Sequence, residues 1–382
     1  MASRLMRICF FKPNSLTEWG GTEIWMVEVS RRLSEHHEVG IVGLKHVEVR
    51  RISPSRLKPL LNHVNYYEFP SVKPPVGFAL PNPLYISQLL NIFNSYDLVY
   101  VIVPSGPIEI LLYLLKLKIR SSLIAGFHSI LRPEVLLHKL YSPLFNKTLS
   151  IFNFYHVLNR SIYLYLKKLG FSNVFHIPNG VDTATFQLSP MLSTDSFNIL
   201  FSGRLRESKG TDILVEIISY INEKLKIPDI KFIIAGSGPL EEVIKRLARK
   251  YRNVHYLGFI TPKALPNIYR NAHLFLIPSK MEGMPLSLLE AQSCGLPAVG
   301  SNVPGVSDVI VNGRTGRLIY PGDVEGYANA IKDYYELWRS SPNRYRELSR
   351  YVREYIVNNY DWNTIVSKLE KMFKETIYGR VN

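Results

Sequence analysis

The chain is poor in cysteine: Cys9 and Cys294 are the only two among 382 residues. That excludes a disulfide framework and a cysteine-rich zinc module. Long apolar runs are also missing. The most apolar stretch, 108–127, is broken by Glu109, Lys116, Lys118 and Arg120, and no window of about 18 uncharged apolar residues exists to span a membrane. Near the start, the apolar run 8–11 meets Lys12 and Pro13 at once, which is too short for a secretory segment. A cytoplasmic location is therefore expected. There is no Asp-x-Asp triplet and no His/Cys group with ligand spacing, so neither a catalytic metal nor any other cofactor is expected. Wholesale disorder is excluded too, because hydrophobic residues make up 46% of the chain and charged ones 20%.

Positive charge, in contrast, is plentiful. Lys and Arg number 46 against 31 Asp and Glu, a net charge of +15. Residues 1–170 alone hold 20 basic and 10 acidic side chains. Such an excess meets phosphate in nucleic acid, in an anionic membrane or in a small substrate. Charge alone does not choose among the three.

Short apolar runs alternate with longer periodic segments, the rhythm of buried parallel strands between helices. Residues 7–11, 39–44, 97–103, 122–127 and 152–158 read as strands, with a helix over 22–34. In the second half 198–201, 231–235, 254–257, 274–277 and 298–300 read as strands. Helices are expected over 212–222, 240–251, 263–270 and 286–293, and a last amphipathic one over 361–377. The pattern predicts an α/β fold of two doubly wound domains, 1–178 and 179–360, with a turn cluster Pro178-Asn179-Gly180 between them and a terminal segment 361–382. Such folds bind ligands at the carboxyl ends of their strands. Here that points to a cleft between the domains.

Four strand-to-helix turns are suited to phosphate. Gly20-Gly21-Thr22-Glu23 opens the first helix, where free backbone N–H groups favour an anion, although a simple tight turn would need the same glycines. Gly203-Arg204 with Lys209-Gly210 sets two cations around one turn. Arg offers a planar fork and Lys a point charge, and cations at the positive end of a helix call for a compensating anion. Gly236-Ser237-Gly238-Pro239 fits either an anion site or a plain turn. The fourth runs from Pro278 to Ala291, with Glu282 in the turn and Glu290 in the helix that Pro285 begins. The five residues from Pro285 to Glu290 span roughly 7–8 Å of helix axis. One carboxylate then faces the helix mouth and the other its wall. The backbone N–H groups of Gly283, Met284 and Leu286 are expected at that mouth, where Pro285 has none to offer. A phosphate between two hydroxyl-bearing rings suits this layout.

Glu282 and Glu290 stand in a Glu-x7-Glu spacing that resembles the signature of retaining glycosyltransferases of family 4, which adopt the GT-B fold. Other pieces fall in that family's order: Gly20-Gly21-Thr22-Glu23, Phe127-His128-Ser129, Ile177 to Asp182, Gly203-Arg204, Lys209-Gly210, Gly236 to Pro239 and Gly313 to Gly316. The chain departs from the pattern after Pro304-Gly305, where Val306-Ser307-Asp308 replaces the usual Pro-Glu. The resemblance implies a GT-B architecture with the terminal helix crossing back to the first domain. It implies a UDP- or GDP-linked sugar as donor and a glycan or lipid-linked acceptor. It further implies that Arg204 and Lys209 bind the donor diphosphate, Glu290 the ribose and Glu282 the transferred sugar. His128 would stand near the sugar hydroxyls, and Gly20 or Gly21 near the phosphate. Gly203, Gly236, Gly283, Met284, Pro285 and Leu286 complete the expected donor site. The expected catalytic set is Glu282, His128, Arg204 and Lys209.

Two other readings stay open here. A nucleotide-sugar epimerase would use the same architecture. A nucleic-acid-binding protein would use the basic half, but it would need exposed aromatics or a recognisable module beside the charge. No nucleic-acid partner is expected. Arg50, Arg51, Arg56 and Lys58 are candidates for anionic lipid. The helix around 110–118 fits either a membrane surface or the core.

Overall fold

The computed structural model describes residues 5–45, 52–72, 79–104, 107–128, 146–188 and 195–379. The chain divides into two compact units, Met1–Asn179 with Trp362–Asn382, and Gly180–Asp361.

The first unit is built on seven parallel strands: β1 (Arg7–Lys12), β2 (Glu38–Leu44), β3 (Val64–Phe69), β6 (Leu98–Val103), β7 (Ser122–Phe127), β8 (Phe154–Val157) and β9 (Val174–His176). A short antiparallel pair, β4 (Ser71–Val72) and β5 (Leu80–Pro81), lies apart from the sheet. The sheet order is β3-β2-β1-β6-β7-β8-β9. Every residue of β6 is buried, as expected where helices cover both faces of a parallel sheet. Phe10, Trp25, Tyr100 and Phe373 pack ring on ring. Phe373 belongs to helix Trp362–Tyr378, which also lies alongside helix Gly21–Leu33.

The second unit has six parallel strands: β10 (Phe197–Ser202), β11 (Ile230–Ala235), β12 (Val254–Gly258), β13 (Leu274–Ile277), β14 (Ala298–Ser301) and β15 (Gly316–Ile319). Their order is β12-β11-β10-β13-β14-β15. Phe197, Ile199, Phe232 and Ile234 pack on one face against Ile213, Ile217, Tyr327 and Ile331 of the covering helices. In both sheets the order grows outward from the first strand and then reverses. That creates one switch point per unit, between β1 and β6 and between β10 and β13. Loops leaving a switch point splay apart and leave a crevice at the strand ends.

The two doubly wound α/β sheets are as the sequence indicates. The edge strands β3, β9 and β15 are additional, and so are two long helices, Val324–Ser340 and Pro342–Tyr360. Helix Thr211–Tyr220 ends earlier than the periodicity suggests and passes into a wider turn, Ile221–Leu225. Among the described residues, no helix is long and apolar enough to cross a membrane. Arg50, Arg51 and Ser129 lie outside the described residues.

Candidate active site

The loops after β10 and β13 flank the switch point of the second unit, so their side chains meet. Lys209 follows β10 and Glu282 follows β13. Lys209 Nζ lies 2.6 Å from Glu282 Oε2. The other carboxylate oxygen, Oε1, accepts from Ser279 Oγ at 2.7 Å. Glu282 is only 6% exposed and Ser279 only 1%. A buried carboxylate is tolerable when a cation and a hydroxyl both satisfy it. Beside this pair, Lys280 bonds Asp212 at 2.5 Å, and Lys280 N donates to the carbonyl of Ser208 at 3.1 Å. The two loops are thus tied by backbone as well as by charge.

Glycines set how closely the loops approach. Gly210 has φ +66°, and a Cβ there would stand 1.9 Å from the carbonyl oxygen of Pro278. Gly236 has φ +141°, and its Cβ would stand 1.8 Å from the carbonyl oxygen of Gly203. Gly203 N in turn donates to the carbonyl of Ala235 at 3.0 Å. Only a residue without a side chain permits these approaches. Arg204 sits half-buried on the same turn and forms no ion pair among the described residues.

Gly283, Met284 and Pro285 lead into helix Leu286–Ser293, with Pro285 as its N-cap. Glu290 lies within this helix. Burial pushes its carboxyl up to about 7, against a smaller opposing pull from the hydroxyl of Tyr269. That hydroxyl donates to Glu290 Oε2 at 2.9 Å, and Tyr269 is wholly buried. Sequence reasoning missed Tyr269 and Ser279 as partners of the two acids. Asp308, in the turn where the chain departs from the family's pattern, accepts from Gly305 N at 2.9 Å and braces its own loop.

The remaining expected residues belong to the first unit. Gly20 is the N-cap of helix Gly21–Leu33, and its N–H donates to Glu23 Oε2 at 2.8 Å. Glu23 is buried and pairs with Lys12 Nζ at 2.5 Å. The N-terminus of this helix therefore already carries one carboxylate of its own. His128 follows β7 and lies 3.0 Å, through Nε2, from the hydroxyl of Tyr100. Among the described residues, no group of three or more His, Cys, Asp or Glu side chains could hold a metal ion.

Two family models match the chain: one described as Glycosyltransferase Family 4 over residues 19–185, the other as Glycosyl transferases group 1 over residues 189–355. A UDP-Gal:alpha-D-GlcNAc-diphosphoundecaprenol alpha-1,3-galactosyltransferase of Escherichia coli is 31% identical over 53% of this chain and 54% of its own length. A GDP-mannose-dependent alpha-(1-6)-phosphatidylinositol monomannoside mannosyltransferase of Mycolicibacterium smegmatis is 26% identical over 52% of this chain and 55% of its own. The chain thus spans about half the length of these curated relatives. The crystal structure of Anabaena HepE in complex with UDP and glucose superposes with a TM-score of 0.77 at 17% identity, covering 97% of this chain and 99% of that one. With each half matched by a glycosyltransferase model and the whole sharing one fold with HepE, the chain belongs to the family 4 glycosyltransferases of GT-B fold.

Proposed function

We propose that the protein moves a hexose from a UDP- or GDP-linked donor to a hydroxyl of a glycan or lipid-linked acceptor, with retention at the anomeric carbon and without a metal. The observation that carries this reading is the cluster of Lys209, Glu282 and Ser279 at the switch point, with Glu290 on the adjoining helix.

Within the cluster Lys209 neutralises Glu282. An arriving diphosphate brings its own negative charge and draws Lys209 away from that carboxylate. Glu282 is then released to accept hydrogen bonds from the sugar. Arg204 and Lys209 together offset the charge that grows on the departing nucleoside diphosphate, where each such donor is typically worth about 3–4 kcal/mol. Glu290, as a carboxylate, accepts from the vicinal hydroxyls of the ribose. In the reaction the acceptor oxygen bonds to the anomeric carbon on the face that the diphosphate leaves, and its proton passes to a phosphate oxygen. Gly20, Gly21 and His128 are read as the first unit's contribution to phosphate and sugar.

By their names, the E. coli relative acts on a diphosphoundecaprenol-linked sugar and the M. smegmatis relative on a phosphatidylinositol monomannoside. Both support a lipid-linked acceptor here. An anionic membrane surface is part of the same proposal. Helix Pro107–Leu115 buries Ile108 and Leu112, but Leu114 is 72% exposed and Leu117, just beyond, 92%. Lys116 and Lys118 stand beside them. Long basic side chains next to exposed leucines suit the headgroup layer. No observation favours the epimerase or a nucleic-acid partner.

A thermal-shift panel of UDP- and GDP-sugars tests the donor. A ligand at a hundredfold excess over its Kd adds about 2.7 kcal/mol of stability. One nucleotide series is expected to raise Tm and the other not, and a flat response to both overturns the reading. Activity that disappears with EDTA and returns with Mg²⁺ overturns metal independence. An inverted product anomer, read by NMR before mutarotation, overturns retention. Failure to sediment with anionic vesicles at low salt overturns the membrane contact.

A further inference from the structure

Tyr100 lies in β6 and His156 in β8, with Gly126 of β7 between them in the sheet. A Cβ on Gly126 would stand 2.1 Å from the Tyr100 hydroxyl. The missing side chain is what lets that hydroxyl cross the middle strand and reach His156 Nδ1 at 2.5 Å. On its far side, His156 Nε2 lies 2.8 Å from the carbonyl oxygen of Ile177. Back toward the strand ends, the same hydroxyl lies 3.0 Å from His128 Nε2. The four groups form one chain, and the Trp25 ring closes over it, 4.4 Å from the His128 ring and 5.9 Å from that of His156.

The proton positions along this chain follow from one fixed end. A backbone carbonyl only accepts, so His156 Nε2 carries a hydrogen. Burial pushes His156 down to about 4, so near neutral pH its Nδ1 is a bare acceptor. Tyr100 therefore donates to it. Having spent its only hydrogen, the tyrosine oxygen accepts from His128 Nε2–H. Burial first, then the proximity of His156 and Lys12, holds His128 well below the usual histidine range. Its Nδ1 keeps a lone pair and meets no partner among the described residues.

We infer that Tyr100 and His156 are positioning residues that lock His128 as the Nε2–H tautomer, so that Nδ1 is an obligate acceptor for a hydroxyl of the transferred sugar. The sugar-facing half rests on the proposed function, whereas the lock is a property of the first unit alone. A free neutral imidazole exchanges between tautomers, and the wrong one would turn a donor toward the hydroxyl. With the lock in place, the sugar group must itself donate. A fluorine at that carbon accepts but cannot donate, so the deoxyfluoro donor fails as badly as the deoxy donor, whereas a site that could switch roles would tolerate fluorine.

Nitrogen NMR of the full chain with labelled histidines reads the tautomer directly, with His128→Gln identifying the signal. The expected result is an Nε2–H imidazole for His128 that does not titrate between about pH 6 and 8. Protonation on Nδ1, or titration in that range, overturns the lock. Tyr100→Phe is expected to give mixed tautomers and to lower kcat/KM about five- to tenfold, the worth of one neutral hydrogen bond. Added to His128→Ala, it is expected to cost nothing more, because Tyr100 acts through His128. Additive losses overturn the positioning role. Should Tyr100→Phe fail to fold, the wild-type spectrum still decides the lock. Full activity in His128→Ala, with the wild-type spectrum as expected, overturns only the sugar-facing half and the reading beneath it.

Discussion

Replacing Glu290 by Gln should stabilise the protein while weakening its grip on the donor. In the unfolded chain this carboxyl titrates near 4.5, and in the folded chain at about 7. Between those values the folded state holds a proton that the unfolded state has lost. Stability therefore falls as pH rises through the window, and above about pH 7 the full cost of the buried charge is present. That difference corresponds to about 3 kcal/mol. Glutamine keeps the shape and an oxygen to accept from Tyr269, but it carries no charge.

At pH 8 the Glu290→Gln variant should then unfold at a higher temperature than the wild type. A unit of this size gains roughly 2–4 °C per kcal/mol, so the shift for the second unit's transition is expected at roughly 6–12 °C or less. At pH 4.5, where wild-type Glu290 is already neutral, the advantage should vanish. Differential scanning calorimetry across this range provides its own control. In parallel, donor affinity in the variant should drop, because an amide that donates from one end cannot accept from two ribose hydroxyls. Equal melting temperatures at pH 8, or a gain that persists unchanged at pH 4.5, would refute the idea that a buried charge is being carried for function.

Lys209→Ala should cut turnover roughly 10²- to 10³-fold, the usual loss on removing one group that stabilises transition-state charge; single-turnover kinetics at saturating donor would show it, and wild-type turnover would remove Lys209 from the diphosphate. Gly236→Ala forces a side chain to 1.8 Å from the carbonyl of Gly203 at a φ of +141°, so a loss of stability of several kcal/mol is expected by urea unfolding. An unchanged urea midpoint would show that the fold does not depend on this close approach between the loops. Wild-type donor affinity should itself weaken as pH falls below about 7, approaching tenfold at pH 6 if only the Glu290 carboxylate binds. Binding titrations at several pH values check this, and a flat profile would free Glu290 from the ribose.

Much of the fold was legible because parallel strands covered on both faces must be apolar throughout. The segments around Phe10, Val101, Ile234 and Leu276 announce themselves that way. The edge strands β3, β9 and β15 do not, although β12, also at an edge, does. β3 has the pattern VNYYEF, and β15 is the short, half-exposed GRLI, so neither looks like core. Glu282 and Glu290 could be singled out from their spacing around Pro285. Their partners could not. Tyr269 sits in the short helix Leu265–Arg270, and nothing local marks its hydroxyl as facing Glu290. In the sequence Tyr100 and His156 look like ordinary strand residues. The usable signal was a histidine in the middle of a buried strand, since a polar group there must find partners, together with the glycine on the strand beside it.

The two units hold their polar groups with different balances of charge and neutral hydrogen bonding. Each must keep such groups near the carboxyl ends of a parallel sheet whose central strands are buried. The second unit uses ions: Lys209 neutralises Glu282, and Glu290 is tolerated with its carboxyl pushed up to about 7. The first unit has the buried Lys12–Glu23 pair at the start of its first helix and, beside it, a chain of neutral hydrogen bonds anchored on the carbonyl of Ile177 that keeps both histidines uncharged. The difference matches the parts proposed for them. A diphosphate is strongly charged, so cations such as Arg204 and Lys209 suit it, together with backbone N–H groups at helix starts. At the proposed His128 contact a neutral imidazole faces a neutral sugar hydroxyl, whereas a carboxylate such as Glu282 accepts from any donor brought to it. The direction of that one hydrogen bond adds a selection that a locked imidazole sets and a freely rotating hydroxyl or amine would not.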